Sequence, residues 1–188
     1  AGIQLILKML MRRFKDLGGE LRLRSAVEKL DRADRRIAQR LFGLEADMKN
    51  IGWLIRLKFY YGIPAGDLGE YNIPGGYRLT GERLRQAFMA DSMKDVLGAA
   101  LDGSFRPVAE LMRREEELSK LFLLEIILWS YIVHEAKRTL GGFPFTIGTV
   151  LSYLILKRTE IRNLITILNG KLLKLERADI ETHLRKAF

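Results

Sequence analysis

Residues 25–61 read SAVEKLDRADRRIAQRLFGLEADMKNIGWLIRLKFYY, and the spacing of their apolar side chains decides the fold class. Leu30, Ile37, Leu41, Leu44, Met48, Ile51 and Ile55 follow steps of three and four, with Asp34 the one polar interruption. That period lines one stripe of an α-helix, whereas a strand would alternate from residue to residue. A second such series runs through 145–173: Ile147, Leu151, Leu154, Ile161, Ile165, Leu168 and Leu172, with Arg158 its charged member. Almost nothing alternates with a period of two, so the chain is expected to be all-α. Long helices with one stripe each imply near-antiparallel bundle packing. On that reading Leu168 is a core residue whose truncation costs about 2–5 kcal/mol, and Arg36 faces solvent.

Working outward, five glycines with Pro64 and Pro74 fill the fifteen residues 62–76, a composition that neither a helix nor a central strand tolerates. The division that follows is a helical unit over 1–61, a Gly/Pro linker over 62–76 and a second helical unit over 77–188. In the second unit Thr80 and Ser92 each open a short helix, the first carrying Arg83, Leu84 and Phe88 and the second Val96 and Leu97. Gly103 and Pro107 break the chain. A long helix is expected over 108–139, stopped by Gly141-Gly142, and a last short one over 177–186.

The two long series also match each other residue by residue. LEADMKNIGWLIRLK (44–58) laid over KRTEIRNLITILNGK (157–171) pairs Asp47 with Glu160, Asn50 with Asn163, Ile51 with Leu164, Leu54 with Ile167, Ile55 with Leu168 and Lys58 with Lys171. The shift is 113 residues throughout these pairs, and a Leu-Gly-Gly triplet precedes each copy, at 17–19 and 140–142, with the first spacing ten residues longer. The chain therefore reads as duplicated helical-bundle units. At about 100° per residue all six members fall within an arc of roughly 140° on one face. Asp47 and Lys58 are eleven residues apart, about 16 Å along the axis, so each needs its own partner. Either these polar groups fix register inside each unit, or some of them meet a neighbouring protein. The expectation is that the helices bearing Asn50 and Asn163 superpose together with the helices before them, 3–14 and the end of 108–139.

Composition narrows the chemistry. Without cysteine there is no disulfide framework, thiolate metal site or thiol nucleophile, and an intracellular setting is the default. His134 and His183 are the only histidines, and His134-Glu135 lacks the second histidine of a zinc helix. Asp31 and Asp34 could imitate a metal-binding pair, but among Arg32, Arg35 and Arg36 they read as surface ion pairs. The glycine-rich 62–76 lacks the Gly-Lys-Ser/Thr ending of a phosphate loop. No catalytic residue, cofactor or metal is therefore expected. The apolar run 121–133 contains Glu125 and is shorter than the roughly 20 residues that span a bilayer, so it reads as a buried helix. A net charge of +9 favours acidic partners. A basic helical nucleic-acid binder, with Arg32, Arg35, Arg36 and Arg40 on phosphates, is the alternative reading, though no base-reading motif accompanies them.

The stretch GGFPFTIGTVLSYLILKRTEIRNLITILNGKLLKL with the ending IETHLRKAF, together with IPGGYRLTGERLRQAF and LEADMKNIGWLIRLKFYYGIP, resembles the C-subunit family of archaeal and bacterial V-type (A-type) ATP synthases. This is the AC39 family, which includes the vacuolar ATPase d subunit. Tyr77, Leu79, Ile147, Gly148, Tyr153, Glu160, Asn163 and Lys171 carry the resemblance, which covers most of the chain from about Ser25. It implies a non-catalytic rotor component without cofactors, peripheral to the cytoplasmic face of the membrane. Its partners would be the central-stalk subunits and the proteolipid ring, not nucleic acid, and its role would be to couple the shaft to proton or sodium transport. Family members are similar to a funnel of three related helical units. The chain begins Ala1-Gly2 and is shorter than such a funnel, so it is expected to be part of a longer protein.

Overall fold

Asp31 sets the start of the central helix. Its Oδ1 accepts hydrogen bonds from the main-chain N–H groups of Ala33 (2.8 Å) and Asp34 (3.0 Å), as a helix N-cap does. These bonds, that from Asp34 first, hold its carboxyl below the ordinary value. The computed structural model describes residues 25–64, 73–79, 81–100 and 121–184. They form α1 (Arg32–Ile55), which runs on into a π-helical turn (Arg56–Tyr60), then α2 (Gly81–Met89), α3 (Met93–Ala100), α4 (Leu121–Leu140), α5 (Ile147–Leu172) and α6 (Arg177–Thr182). No strand occurs among the described residues, in agreement with the all-α reading. The expected helix at 3–14, the start of that at 108–139, Thr80, Gly103, Pro107 and the last residues of the chain lie outside the described residues.

The stripe on α1 is buried as its spacing requires: Leu41, Leu44, Met48, Ile51 and Ile55 are at the centre of the core, with Ile37 packed against it. The wider turn that follows closes with the Tyr61 N–H bonded to Arg56 C=O at 3.2 Å. Gly62, with φ near 61°, then lets the Ile63 N–H return to Leu57 C=O at 3.0 Å.

Two ion pairs, Arg40 of α1 with Glu135 and Arg56 of the π-helical turn with Glu125, tie this continuous helix to α4 and fix the two antiparallel. α5 turns back from α4 at Gly141-Gly142, and the Trp129 indole N–H donates to Thr159 Oγ1 at 2.8 Å. Consequently α5 lies parallel to α1. Near one end the Ile147 N–H donates to Asp34 Oδ1 at 3.0 Å, and eleven residues along both helices Arg158 pairs with Glu45 at 2.8 Å. Near-antiparallel packing therefore describes α1 with α4 and α4 with α5, and not α1 with α5. Both of these polar α1–α5 contacts join residues 113 apart, the same separation as in the sequence match.

The structure corrects the assignment of faces on α5. Its buried residues are Gly148, Ser152, Ile155, Thr159 and Gly170, a face of mostly small side chains. Leu154, Ile161, Ile165, Leu168 and Leu172 instead face outward, and Leu168, expected in the core, is 66% exposed. Close approach explains the choice: a Cβ on Gly148 would stand 2.8 Å from Thr139 Cγ2 and 3.0 Å from Ile37 Cγ2. Helical period reveals a stripe, whereas the shape of the neighbouring helices decides which stripe they cover. Asp31 and Asp34 likewise depart from the expected surface ion pairs, since the first caps α1 and the second supplies an acceptor at the start of α5.

Candidate functional site

The polar members of the α1 pattern hold the chain that follows it. Asn50 clamps Ile73 from both sides, its Oδ1 accepting from the Ile73 N–H at 2.8 Å and its Nδ2 donating to Ile73 C=O at 2.9 Å. Asp47, fully buried, accepts at Oδ2 from the N–H groups of Tyr77 (3.1 Å) and Arg78 (2.7 Å). Lys58 Nζ donates to the carbonyls of Phe88 (2.8 Å) and Ala90, at the carboxy-terminal end of α2 where partial negative charge gathers. A carboxylate thus meets amides, a lysine meets carbonyls, and Ile51, Leu54 and Ile55 fill the space between.

Two glycines make the approach possible. A Cβ on Gly43 would lie 2.7 Å from Tyr77 Cβ, and one on Gly76 would collide with Asp47 Oδ1. Tyr77 itself is 44% exposed, so it takes part chiefly through its main chain, with the Arg78 guanidinium 5.5 Å from its ring centroid. Burial pushes the Asp47 carboxyl up to about 6, the hydrogen bonds from Arg78, Leu79 and Tyr77 offsetting only part of that effect.

Beside this loop an open cleft of about 550 Å³ is lined by Phe42, Gly43, Glu45, Lys49, Tyr77 and Arg158, among others. Burial raises the Glu45 carboxyl, but the Arg158 hydrogen bond and the Lys49 and Arg158 charges outweigh it and hold the group ionised. Arg158 also stacks over Trp129 at 4.6 Å. Among the described residues no three His, Cys, Asp or Glu side chains gather in a way that could hold a metal ion. No described helix is long and apolar enough to cross a membrane.

The matching residues on α5 are placed differently. Glu160 is exposed and pairs with Lys157 at 2.8 Å, Asn163 is half-buried and Lys171 is exposed. The structure thus brings Asp47, Asn50, Lys58 and the Tyr77 main chain together, while Glu160, Asn163 and Lys171 lie along a separate face. Of the basic residues considered for phosphate contact, Arg35 donates to Leu30 C=O, Arg36 to Arg32 C=O and Arg40 pairs with Glu135. Sequence reasoning missed the bracing pairs Arg40–Glu135, Arg56–Glu125 and Glu45–Arg158. Only the last had a signal, since its two members are 113 residues apart.

A family model described as ATP synthase (C/AC39) subunit matches residues 21–183. The chain is similar to the C subunit of the A-type ATP synthase of Archaeoglobus fulgidus, with 32% identity over 73% of this chain and 38% of the relative. It is similar also to the corresponding protein of Methanocaldococcus jannaschii, with 26% identity over 78% of this chain and 37% of the relative. That of Methanosarcina acetivorans is 27% identical over 78% of this chain and 39% of its own length. The chain thus spans less than two fifths of the curated relatives it matches. No solved structure matches it.

Proposed function

The chain belongs to the ATP synthase (C/AC39) subunit family, and from that premise we propose that it acts as a non-catalytic coupling element of a V/A-type rotary ATPase. It joins the rotating central stalk to the proteolipid ring, so that turning of one drives proton or sodium movement through the other. In this role it is peripheral to the membrane, on the cytoplasmic face, and binds through the ring. The observation that carries the reading is mechanical. Three long helices, α1, α4 and α5, are cross-braced by Arg40–Glu135, Arg56–Glu125 and Arg158–Glu45 around one packed core. Close-packed interiors resist compression and transmit strain, which is what an adaptor under torque requires.

Torque transmission needs shape and stiffness at the site, with no bond made or broken. The basic surface, with a net charge of +9, steers and holds acidic patches of the partners, an effect that salt weakens. Reconstitution of the whole ATPase with and without the full-length protein tests the reading. In its absence ATP hydrolysis should continue while ion pumping stops, and the protein should co-purify with the central stalk. Fully coupled pumping without it would remove this function.

A further inference from the structure

Where α4 turns back into α5 there is a second, smaller cavity of about 190 Å³, which shares no lining residue with the cleft beside the 73–79 loop. Its charged lining residues are Arg40 of α1 and Arg138 of α4, and no acidic side chain lines it. Arg40 donates to Glu135 Oε2, while Arg138 stands 3.7 Å from Oε1 of the same carboxylate, too far for a hydrogen bond. One carboxylate thus serves two guanidiniums, and positive charge is left over at the cavity wall. Arg78 adds to it: burial first, and then the charges of Arg138 and Arg78, lower the pKa of the Arg40 guanidinium, which stays ionised.

Structural duties explain each arginine only in part. Arg138 in the last turn of α4 offsets the partial negative charge of that helix end, but Arg40 belongs to another helix. Arg40 and Glu135 tie α1 to α4, but that leaves Arg138 over. Neither duty accounts for two cations on one cavity.

We propose that this cavity at the α4–α5 turn binds a phosphate-sized oxyanion between the Arg40 and Arg138 guanidiniums. Each guanidinium carries five N–H donors in a planar fork suited to phosphate oxygens, and Glu135 engages Arg40 through one nitrogen. Ile37 and Phe143 supply apolar wall, against which charge attraction is weakened less than in open water. Thr139 Oγ1 donates to Glu135 C=O at 2.8 Å and Thr146 Oγ1 to Phe143 C=O at 3.3 Å, so their protons are engaged and recognition falls to the arginines. Asp34, one turn before Ile37, does not line the cavity and accepts from the Ile147 N–H.

Size and charge select the ligand class. Pockets that enclose drug-sized molecules hold about 300–1,000 Å³, so this one takes a single tetrahedral group, free or at the end of a larger molecule that stays outside. A phosphate, with nearly two negative charges, gains more from two guanidiniums than a carboxylate does. This assignment does not rest on the rotary-coupling reading.

The probe is inorganic phosphate, titrated into the chain at constant ionic strength with chloride as the balancing ion, and followed by calorimetry and melting temperature. Binding should be saturable and one-to-one, and the melting temperature should rise as phosphate replaces chloride. Arg138→Gln should weaken binding at least tenfold and keep the wild-type circular dichroism, because the side chain is 66% exposed. Arg40→Lys retains a charge beside Glu135 but loses the fork, and it should weaken binding to a similar extent. Lys174→Gln, which removes an exposed cation elsewhere, should change nothing. Glycerol phosphate binding as well as phosphate would put a monoester in the site, and binding of inorganic phosphate alone would put the free ion there; either result supports the assignment. No saturation by about 10 mM phosphate overturns it, as does undiminished binding to Arg138→Gln. Acetate binding as tightly as phosphate would make the cavity a carboxylate site and overturn it too.

Discussion

At Asp47 two influences act on one proton: removal from water raises the carboxyl pKa, and main-chain N–H donors lower it. Burial prevails and the value stands at about 6, above the ordinary 3.8. The folded state therefore holds this proton more tightly than the unfolded chain. The associated stability is complete below about pH 4 and is lost as pH rises through about 6. A shift of about two units corresponds to about 3 kcal/mol. In urea titrations from pH 4 to 7.5, the stability of wild type relative to Asp47→Asn should fall with rising pH; a constant difference would show that Asp47 does not titrate there. Asn50 poses a simpler case. Asn50→Ala strands both the N–H and the C=O of Ile73, so unfolding free energy should drop by about 2–4 kcal/mol. Ile51→Ala should cost about 2–5 kcal/mol as a core truncation. Leu168→Ala, on the exposed stripe, should cost less than about 1 kcal/mol in the same denaturant series.

Between elements, α5 begins on an acceptor borrowed from another helix. Thr146 occupies its N-cap position but makes no capping hydrogen bond with its side chain, and Asp34 of α1 takes the Ile147 N–H instead. A carboxylate near a helix start also meets the positive end of the helix dipole. Asp34→Ala should lower the melting temperature by the equivalent of about 1 kcal/mol and speed amide exchange at 147–150, while Asp34→Asn should recover most of both. Unchanged exchange there would mean that water replaces Asp34 without loss. The Glu45–Arg158 pair joins the same two helices farther along, with the arginine half-exposed. A double-mutant cycle should give a coupling of only about 0.5–1 kcal/mol, since solvent screens it.

For the whole molecule, α1 from Leu41 onward is buried around nearly its full circumference and α5 on one side only. That asymmetry separates a part that holds the fold from a part that keeps an exposed apolar stripe. It also gives the proposed coupling role a distinct signature. A variant such as Leu168→Asp, folded but altered on the exposed stripe, should assemble poorly with its neighbours, whereas Asn50→Ala should lose stability first and assembly only as a consequence. Pull-down with the central-stalk subunits, scored against melting temperature, separates these outcomes. Association should weaken steeply with added salt if the +9 charge contributes to it, and a flat salt response would assign the contact to apolar surface alone.

Helical period, the Asp/Asn/Lys pattern and the glycine-rich break were legible because each is a local property of neighbouring residues. They determined the all-α class, the stripe on α1 and the pairing of 44–58 with 157–171, and they singled out residues that the structure finds clamping a loop. Tertiary structure alone decided which face of α5 is buried, because the answer depends on how closely Gly148 lets Thr139 and Ile37 approach. It alone decided that α1 and α5 lie parallel, through contacts between residues 113 apart. Periodicity is written along one helix, whereas burial and direction arise only when a second helix is set against the first.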